Sequence, residues 1–262
     1  MGYQTIAIET DARGVAMLRL MRSAKHNALN AQMMDELSDA AAVLGADPVV
    51  RVVVLSAEDS CKSFCAGGDL GWMQEQMAAD AETRGREARR LAEMLGALNT
   101  MPKPLIGRLQ GNAFGGGVGM ACVCDVAVAA DHVRFGLTET RLGLLPATIG
   151  PYVLARLGEA MARRVFMSSR LFDAIEAVTL GVVARAVPAA ELDAAVEAEV
   201  LPYLSCAPGA VAASKALARA MGPRIDDAVI DASIQALVAR WETDEARAGI
   251  QAFFAKEKAP WA

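Results

Sequence analysis

The chain has 262 residues, 54% hydrophobic and 22% charged, a composition that supports a sizeable core and excludes global disorder. Its formal net charge of −5 disfavours generic affinity for nucleic acid or an anionic membrane surface. Five cysteines, odd in number and without framework spacing, fit a reduced cytoplasmic setting.

The N-terminal sequence MGYQTIAIETD lacks a basic start followed by an apolar run, so it does not read as a secretory signal. Residues 4–10 and 14–20 read as two strands joined by Asp11-Ala12-Arg13-Gly14, a hairpin signal. A helix is expected from Ala31 to Leu44, stopped by Gly45 and Pro48. Val49–Leu55 is a β-branched run suited to a strand buried on both faces, and a loop of small residues follows over Ser56–Gly68. The stretch 69–100 reads as helical, with Gly85 as its weak point. Pro102 and Pro104 restart the chain as a strand over Leu105–Leu109, and Gly111–Gly119 is a second glycine-rich loop running into a helix through Met120–Cys122. This apolar stretch is too short and too glycine-rich to cross a membrane, and Asp125 closes it. Val126–Ala130 and a short segment at Phe135 read as strands. From about residue 148 the pattern is helical, with one short strand near Val182–Val187. The order is β-rich α/β first and helical afterwards, with no linker or internal repeat.

Two segments share one layout, a strand, a glycine-containing loop and a helix start. They are Val52–Leu55 followed by Phe64-Cys65-Ala66-Gly67-Gly68-Asp69-Leu70, and Leu105–Leu109 followed by Gly111-Asn112-Ala113-Phe114-Gly115-Gly116-Gly117. The first N–H groups of a helix lack internal acceptors and lie at its positive end, so such loops suit an anion or oxyanion. Neither loop has P-loop or dinucleotide-binding spacing. With no G-x-S-x-G turn and only His26 and His132 available, a Ser-His-Asp hydrolase is unsupported. Cys122 and Cys124 have no second pair at zinc spacing and read as small core residues rather than metal ligands.

Taken in order, Asn27-Ala28-Leu29-Asn30, the two glycine loops, Cys124-Asp125, Phe135-Gly136-Leu137-Thr138-Glu139, Gly143-Leu144-Leu145-Pro146 and Ala252-Phe253-Phe254-Ala255-Lys256 resemble the enoyl-CoA hydratase/isomerase (crotonase) superfamily over nearly the whole chain. The resemblance implies an α/β fold, a spiral of ββα units over residues 1–200 with a helical C-terminal trimerisation region over 201–262. It also implies an acyl-CoA thioester substrate, no metal or redox cofactor, and a homotrimer or dimer of trimers. By motif position the Gly68 and Gly116 amides would hold the thioester oxyanion and Glu139 would transfer protons. Ala24, His26 (through its backbone), Ala66 and Leu70 would line the CoA side, and Phe253 and Lys256 would reach the nucleotide, often from a neighbouring subunit. Trp72 and Met73 would line the acyl pocket or pack in the core. Asp69 would cap a helix beside the site. Arg141 would pair with Glu139 or solvent, or bind a substrate carboxylate, and Trp261 would anchor the tail against a partner.

One position departs from the pattern. The two-acid hydratases of the family carry a glutamate where this chain has Gly119, which leaves Glu139 as the single acid. The finer likeness is to bacterial methylglutaconyl-CoA hydratases, with Gly119 expected to leave room for a branched, carboxylate-bearing acyl group. A double-bond isomerase, which needs one acid only, and a non-catalytic acyl-CoA-binding homologue are the alternatives.

Overall fold

A computed structural model describes residues 2–262. The N-terminal hairpin forms as read, β1 (Ile6–Thr10) pairing antiparallel with β2 (Val15–Leu20). Helix α1 (Ala31–Ala46) starts where the Asn30 side chain accepts from the Met33 amide. It runs through Gly45, which was expected to stop it. A Cβ there would lie 3.1 Å from the Pro102 ring, so the glycine serves helix packing and Asp47-Pro48 ends the helix.

Three successive turns then repeat one motif. Each gives a strand to a six-stranded sheet, a short strand to a four-stranded sheet, and one or more helices. The first turn is β3 (Val52–Ala57), β4 (Ser63–Cys65), α2 (Leu70–Ala78) and α3 (Ala81–Thr100). The second is β5 (Leu105–Leu109), β6 (Asn112–Phe114) and α4 (Gly116–Val123); the third is β7 (Val126–Ala130), β8 (Arg134–Gly136) and α5 (Gly150–Phe166). Strand β9 (Leu171–Asp173), α6 (Ala174–Leu180) and β10 (Arg185–Val187) close the sheets, whose orders are β1-β2-β3-β5-β7-β10 and β4-β6-β8-β9. Turn stacks on turn because consecutive strands pair in parallel, β3 with β5, β5 with β7, β4 with β6 and β6 with β8.

The core follows from burial on both faces of the larger sheet. Every residue of β3 and β5 is buried, which accounts for their near-continuous apolar runs. Arg108 in β5 is tolerated because its guanidinium meets Asp193 at 2.6 Å and Asp59 at 2.8 Å.

The single helix expected over 69–100 is two. It breaks at Ala79-Asp80 rather than at Gly85, because the Asp80 carboxylate accepts from the Thr83 amide and starts α3 anew. Strands β4, β6 and β9 were not legible as strands. Each is three residues long and pairs only across the spiral. Gly116–Val123 is helix where a glycine loop was expected to run on to Gly119. The remaining helices are α7 (Leu192–Leu204), α8 (Pro208–Met221), α9 (Asp227–Trp241) and α10 (Asp244–Ala255). Helix α9 packs on α3 and α10 packs on the 3-10 turn Glu139–Leu142, so the C-terminal segment folds over the chain's own spiral.

Candidate active site

The register of the small sheet brings the two glycine turns together. Cys65 at the end of β4 pairs with Ala113 of β6. Gly68 lies three residues beyond Cys65 and Gly116 three residues beyond Ala113, so equivalent points of adjacent turns emerge side by side. The backbones touch: a Cβ on Gly115 would lie 3.7 Å from the Gly67 Cα, and one on Gly67 3.2 Å from the Phe114 carbonyl oxygen. Gly67 (φ 91°) and Gly115 (φ 48°) occupy left-handed backbone that admits little besides glycine.

Both turns leave an amide unengaged. Leu29 forms a parallel bridge with Gly68 by donating to the Gly67 carbonyl (2.7 Å) and accepting from the Asp69 amide (2.9 Å). That pattern points the Gly68 N–H away from Leu29. Gly116 is the first residue of α4, where a helix has no internal acceptor to offer. Among the described residues neither amide donates a hydrogen bond.

The third turn adds the acid. The Gly115 amide donates to the Gly136 carbonyl at the end of β8 (2.9 Å), and Glu139 follows three residues later on the 3-10 turn. A Cβ on Gly115 would stand 3.0 Å from the Glu139 Oε1, so this glycine makes room for the carboxyl. Glu139 Oε2 is buried with no hydrogen-bond partner among the described residues. Burial pushes the Glu139 pKa up to about 7.

Gly68, Gly116 and Glu139 line one cavity of about 350 Å³, whose other walls are mostly apolar and include Ala66, Leu70, Trp72 and Met73. The Trp72 ring lies 3.6 Å from the position of a Cβ on Gly68, and its Nε1 donates to Glu87 (3.1 Å), fixing the ring beside the turn. The C-terminal helices supply a lid that the sequence did not disclose, Leu237 and Trp241 of α9, joined by Phe253 of α10. The signal was present in the spacing Ile230, Ile234, Leu237, Trp241, one apolar face of a helix. This lid also holds the acid's turn: Arg240 donates to the Gly143 carbonyl (2.6 Å and 2.9 Å), and Gly249 lets α10 approach the Leu142 carbonyl.

Most of the other residues named from the sequence lie around rather than in the cavity. Ala24 and His26 are exposed; the His26 carbonyl accepts from the Ala66 amide (3.0 Å), stitching that segment to the first glycine turn. Asp69 caps α2 through the Gly71 amide (2.8 Å) and pairs with Arg22 (3.0 Å). Burial raises its pKa, but Arg22 and the capped amides outweigh that and hold it below the usual range. Lys256 is an exposed left-handed helix cap. Gly119 does not line the cavity. A Cβ there would meet Ile149 at 3.0 Å and Leu95 at 3.4 Å, so the room expected at Gly119 is taken by Ile149. Arg141 does line the cavity and makes no pair with Glu139; among the described residues its guanidinium reaches only the Ser169 carbonyl, at 3.5 Å. Trp261 packs on Gly249 of its own chain. Cys122 and Cys124 are buried in and just after α4, and burial pushes both thiols up to about 12.

Two free main-chain amides lie beside one buried carboxyl in an apolar cavity under a helical lid, groups of the kind that can steady charge on an oxygen and move a proton. The chain belongs to the enoyl-CoA hydratase/isomerase family, whose profile matches residues 10–262. It is 33% identical over 262 residues to the crotonyl-CoA hydratase of Syntrophomonas wolfei, covering 99% of this chain and 98% of that one. It is 31% identical over 177 residues to the mitochondrial methylglutaconyl-CoA hydratase of Mus musculus, covering 67% of this chain and 55% of that one. Among solved structures, that of a putative enoyl-CoA hydratase from Mycobacterium avium paratuberculosis superposes with a TM-score of 0.87 at 30% identity, covering 99% of this chain and 100% of that one.

Proposed function

We propose that the protein adds water to a 2-enoyl-CoA thioester, using the Gly68 and Gly116 amides as an oxyanion hole and Glu139 as the proton-transfer group. The observation that carries this is the convergence of two unengaged amides and one buried acid on a single cavity. As water attacks C3, the electron pair of the double bond moves to the thioester oxygen. Donors aimed at that oxygen stabilise the enolate-like transition state more than the ground state. Glu139 takes the proton from water and returns it to C2, roles that suit an acid titrating near neutrality. The steps are an O–H addition and proton transfers, so the reading calls for no metal or redox cofactor, and CoA arrives with the substrate.

For the acyl group we propose a branched, carboxylate-bearing chain such as 3-methylglutaconyl. Two observations support it, the likeness to the mouse methylglutaconyl-CoA hydratase and Arg141. Arg141 is the only cation lining the cavity and has no carboxylate partner among the described residues. The test is a turnover panel of crotonyl-CoA, longer unbranched enoyl-CoA and 3-methylglutaconyl-CoA, with Glu139→Gln as control. Preference for 3-methylglutaconyl-CoA is expected; equal turnover of crotonyl-CoA defeats the substrate assignment and leaves hydration standing. Conversion of a 3-enoyl-CoA to the 2-enoyl isomer without hydroxyacyl product would replace hydration by isomerisation.

We further propose a homotrimer or dimer of trimers in the cytoplasm. Helix α8 buries none of its own residues and leaves Leu217 and Met221 exposed, a face suited to a second copy. No helix among the described residues is long and apolar enough to cross a membrane.

A further inference from the structure

One more group in the cavity is buried without a partner. Thr148 lies in the turn that leads into α5, is 4% exposed, and its Oγ1 has no hydrogen-bond partner among the described residues. Buried polar atoms are nearly always satisfied, so an orphan points to a water or ligand that completes it. Of the orphaned side-chain atoms among the described residues, only Thr148 Oγ1 and Glu139 Oε2 belong to residues lining the cavity of Gly68 and Gly116. The ordinary use of a threonine at such a place, capping the helix it precedes, is absent. The cap of α5 is Ile149, no side chain bonds the helix start, and Pro151 removes one of the amides that a cap would satisfy.

We propose that the Thr148 hydroxyl is the second hydrogen-bonding contact of the water that Glu139 activates, an inference that rests on the hydratase reading. A fixed water needs two or more polar partners, and a single carboxylate gives it one. A second acid at position 119 would press on Ile149, whose side chain lies 3.0 Å from where its Cβ would stand. Thr148 is the residue next to Ile149, lines the cavity, and carries in its hydroxyl both a donor and an acceptor. In the step itself, one water proton passes to the Glu139 carboxylate, the water oxygen forms the bond to C3, and the double-bond pair moves to the thioester oxygen. Glu139 then returns the proton to C2. Thr148 ends with the proton it began with and directs the attacking oxygen.

The test compares Thr148→Val and Thr148→Ser with the parent in two reactions. One is hydration of the enoyl-CoA that turns over best; the other is exchange of the C2 protons of the matching saturated acyl-CoA with D2O. Exchange needs the oxyanion hole and Glu139 but adds no water. Thr148→Val is expected to lower the hydration kcat about 10- to 100-fold, the loss of one hydrogen bond made in the transition state, with KM within about twofold and exchange unchanged. Thr148→Ser should restore hydration to within a few-fold. Since valine removes an orphaned hydroxyl, the variant should unfold at the parent temperature or above. Unchanged hydration in Thr148→Val overturns the proposal, as does an equal fall in hydration and exchange, which marks a packing role. Both leave the hydratase reading intact. Failure of the parent itself to hydrate any enoyl-CoA would remove that reading, and this proposal with it.

Discussion

Replacing Glu139 by glutamine tests the burial of the acid and its chemistry with one variant. The folded protein holds this carboxyl at about 7 against an ordinary value of 4.5, and burial is the cause. Below pH 4.5 the acid is protonated in both folded and unfolded chains and costs nothing. Between 4.5 and 7 the unfolded chain releases the proton that the folded chain keeps, so stability falls as pH rises, and the penalty is complete above the folded value. A difference of 2.5 pH units at about 1.36 kcal/mol each gives about 3 kcal/mol. Glutamine never ionises, so Glu139→Gln should match the parent near pH 4 and exceed it by about 3 kcal/mol at pH 8, roughly 5 to 10 °C in unfolding temperature. Urea titrations at several pH values across that range measure the difference directly. The same variant should lose about two to four orders of magnitude in hydration rate, and the parent kcat/KM should climb with pH and level off above about 7. A stability difference that does not change with pH would mean that Glu139 is solvated, and the argument for its tuned acidity would fail.

Other substitutions probe the rest of the site and its surroundings. Gly68→Pro removes an amide donor and should cost about 3–4 kcal/mol of transition-state stabilisation in kcat, whereas Gly68→Ala, whose Cβ meets the Trp72 ring at an ordinary 3.6 Å, should stay within a few-fold. Arg141→Met should raise KM for a dicarboxylic enoyl-CoA about tenfold or more while sparing crotonyl-CoA; a uniform effect on both would place Arg141 on the shared CoA portion. Gly119→Glu should destabilise the fold by about 1–3 kcal/mol in thermal unfolding because Ile149 is in the way.

The elements legible in the sequence are those whose apolar pattern is long or whose ends carry a chemical stop. The hairpin lies about the Asp11–Gly14 turn, β5 follows Pro102 and Pro104, β7 spans Val126–Ala130 as read, and α1 starts at its capping Asn30. The short strands β4, β6 and β9 have no local signal, since three residues such as Ser63–Cys65 become a strand only when the next turn of the spiral lies against them. Glycine misled twice for opposite reasons. Gly45 and Gly85 sit within helices because neighbours press close or space is open, while the true break at Asp80 comes from a carboxylate that captures the Thr83 amide.

The site was legible as a set of motifs and illegible as a shape. Nothing local to Gly68 or Gly116 says that their amides are free; that follows from the bridge at Leu29 on one side and the start of α4 on the other. Position 119 shows most clearly what contacts add. Read along the chain, a glycine in place of an acid is an opening. In three dimensions Ile149 fills that opening, and α9 and α10 cover the cavity from a region some hundred residues away. The glycine at 119 therefore does not widen the cavity at that point, where Ile149 forms the wall. Glu139 is desolvated by its burial, and its Oε2 has no hydrogen-bond partner among the described residues. A site with one acid gains from having that acid titrate near neutrality, since the same carboxyl must accept a proton and give it back within one turnover.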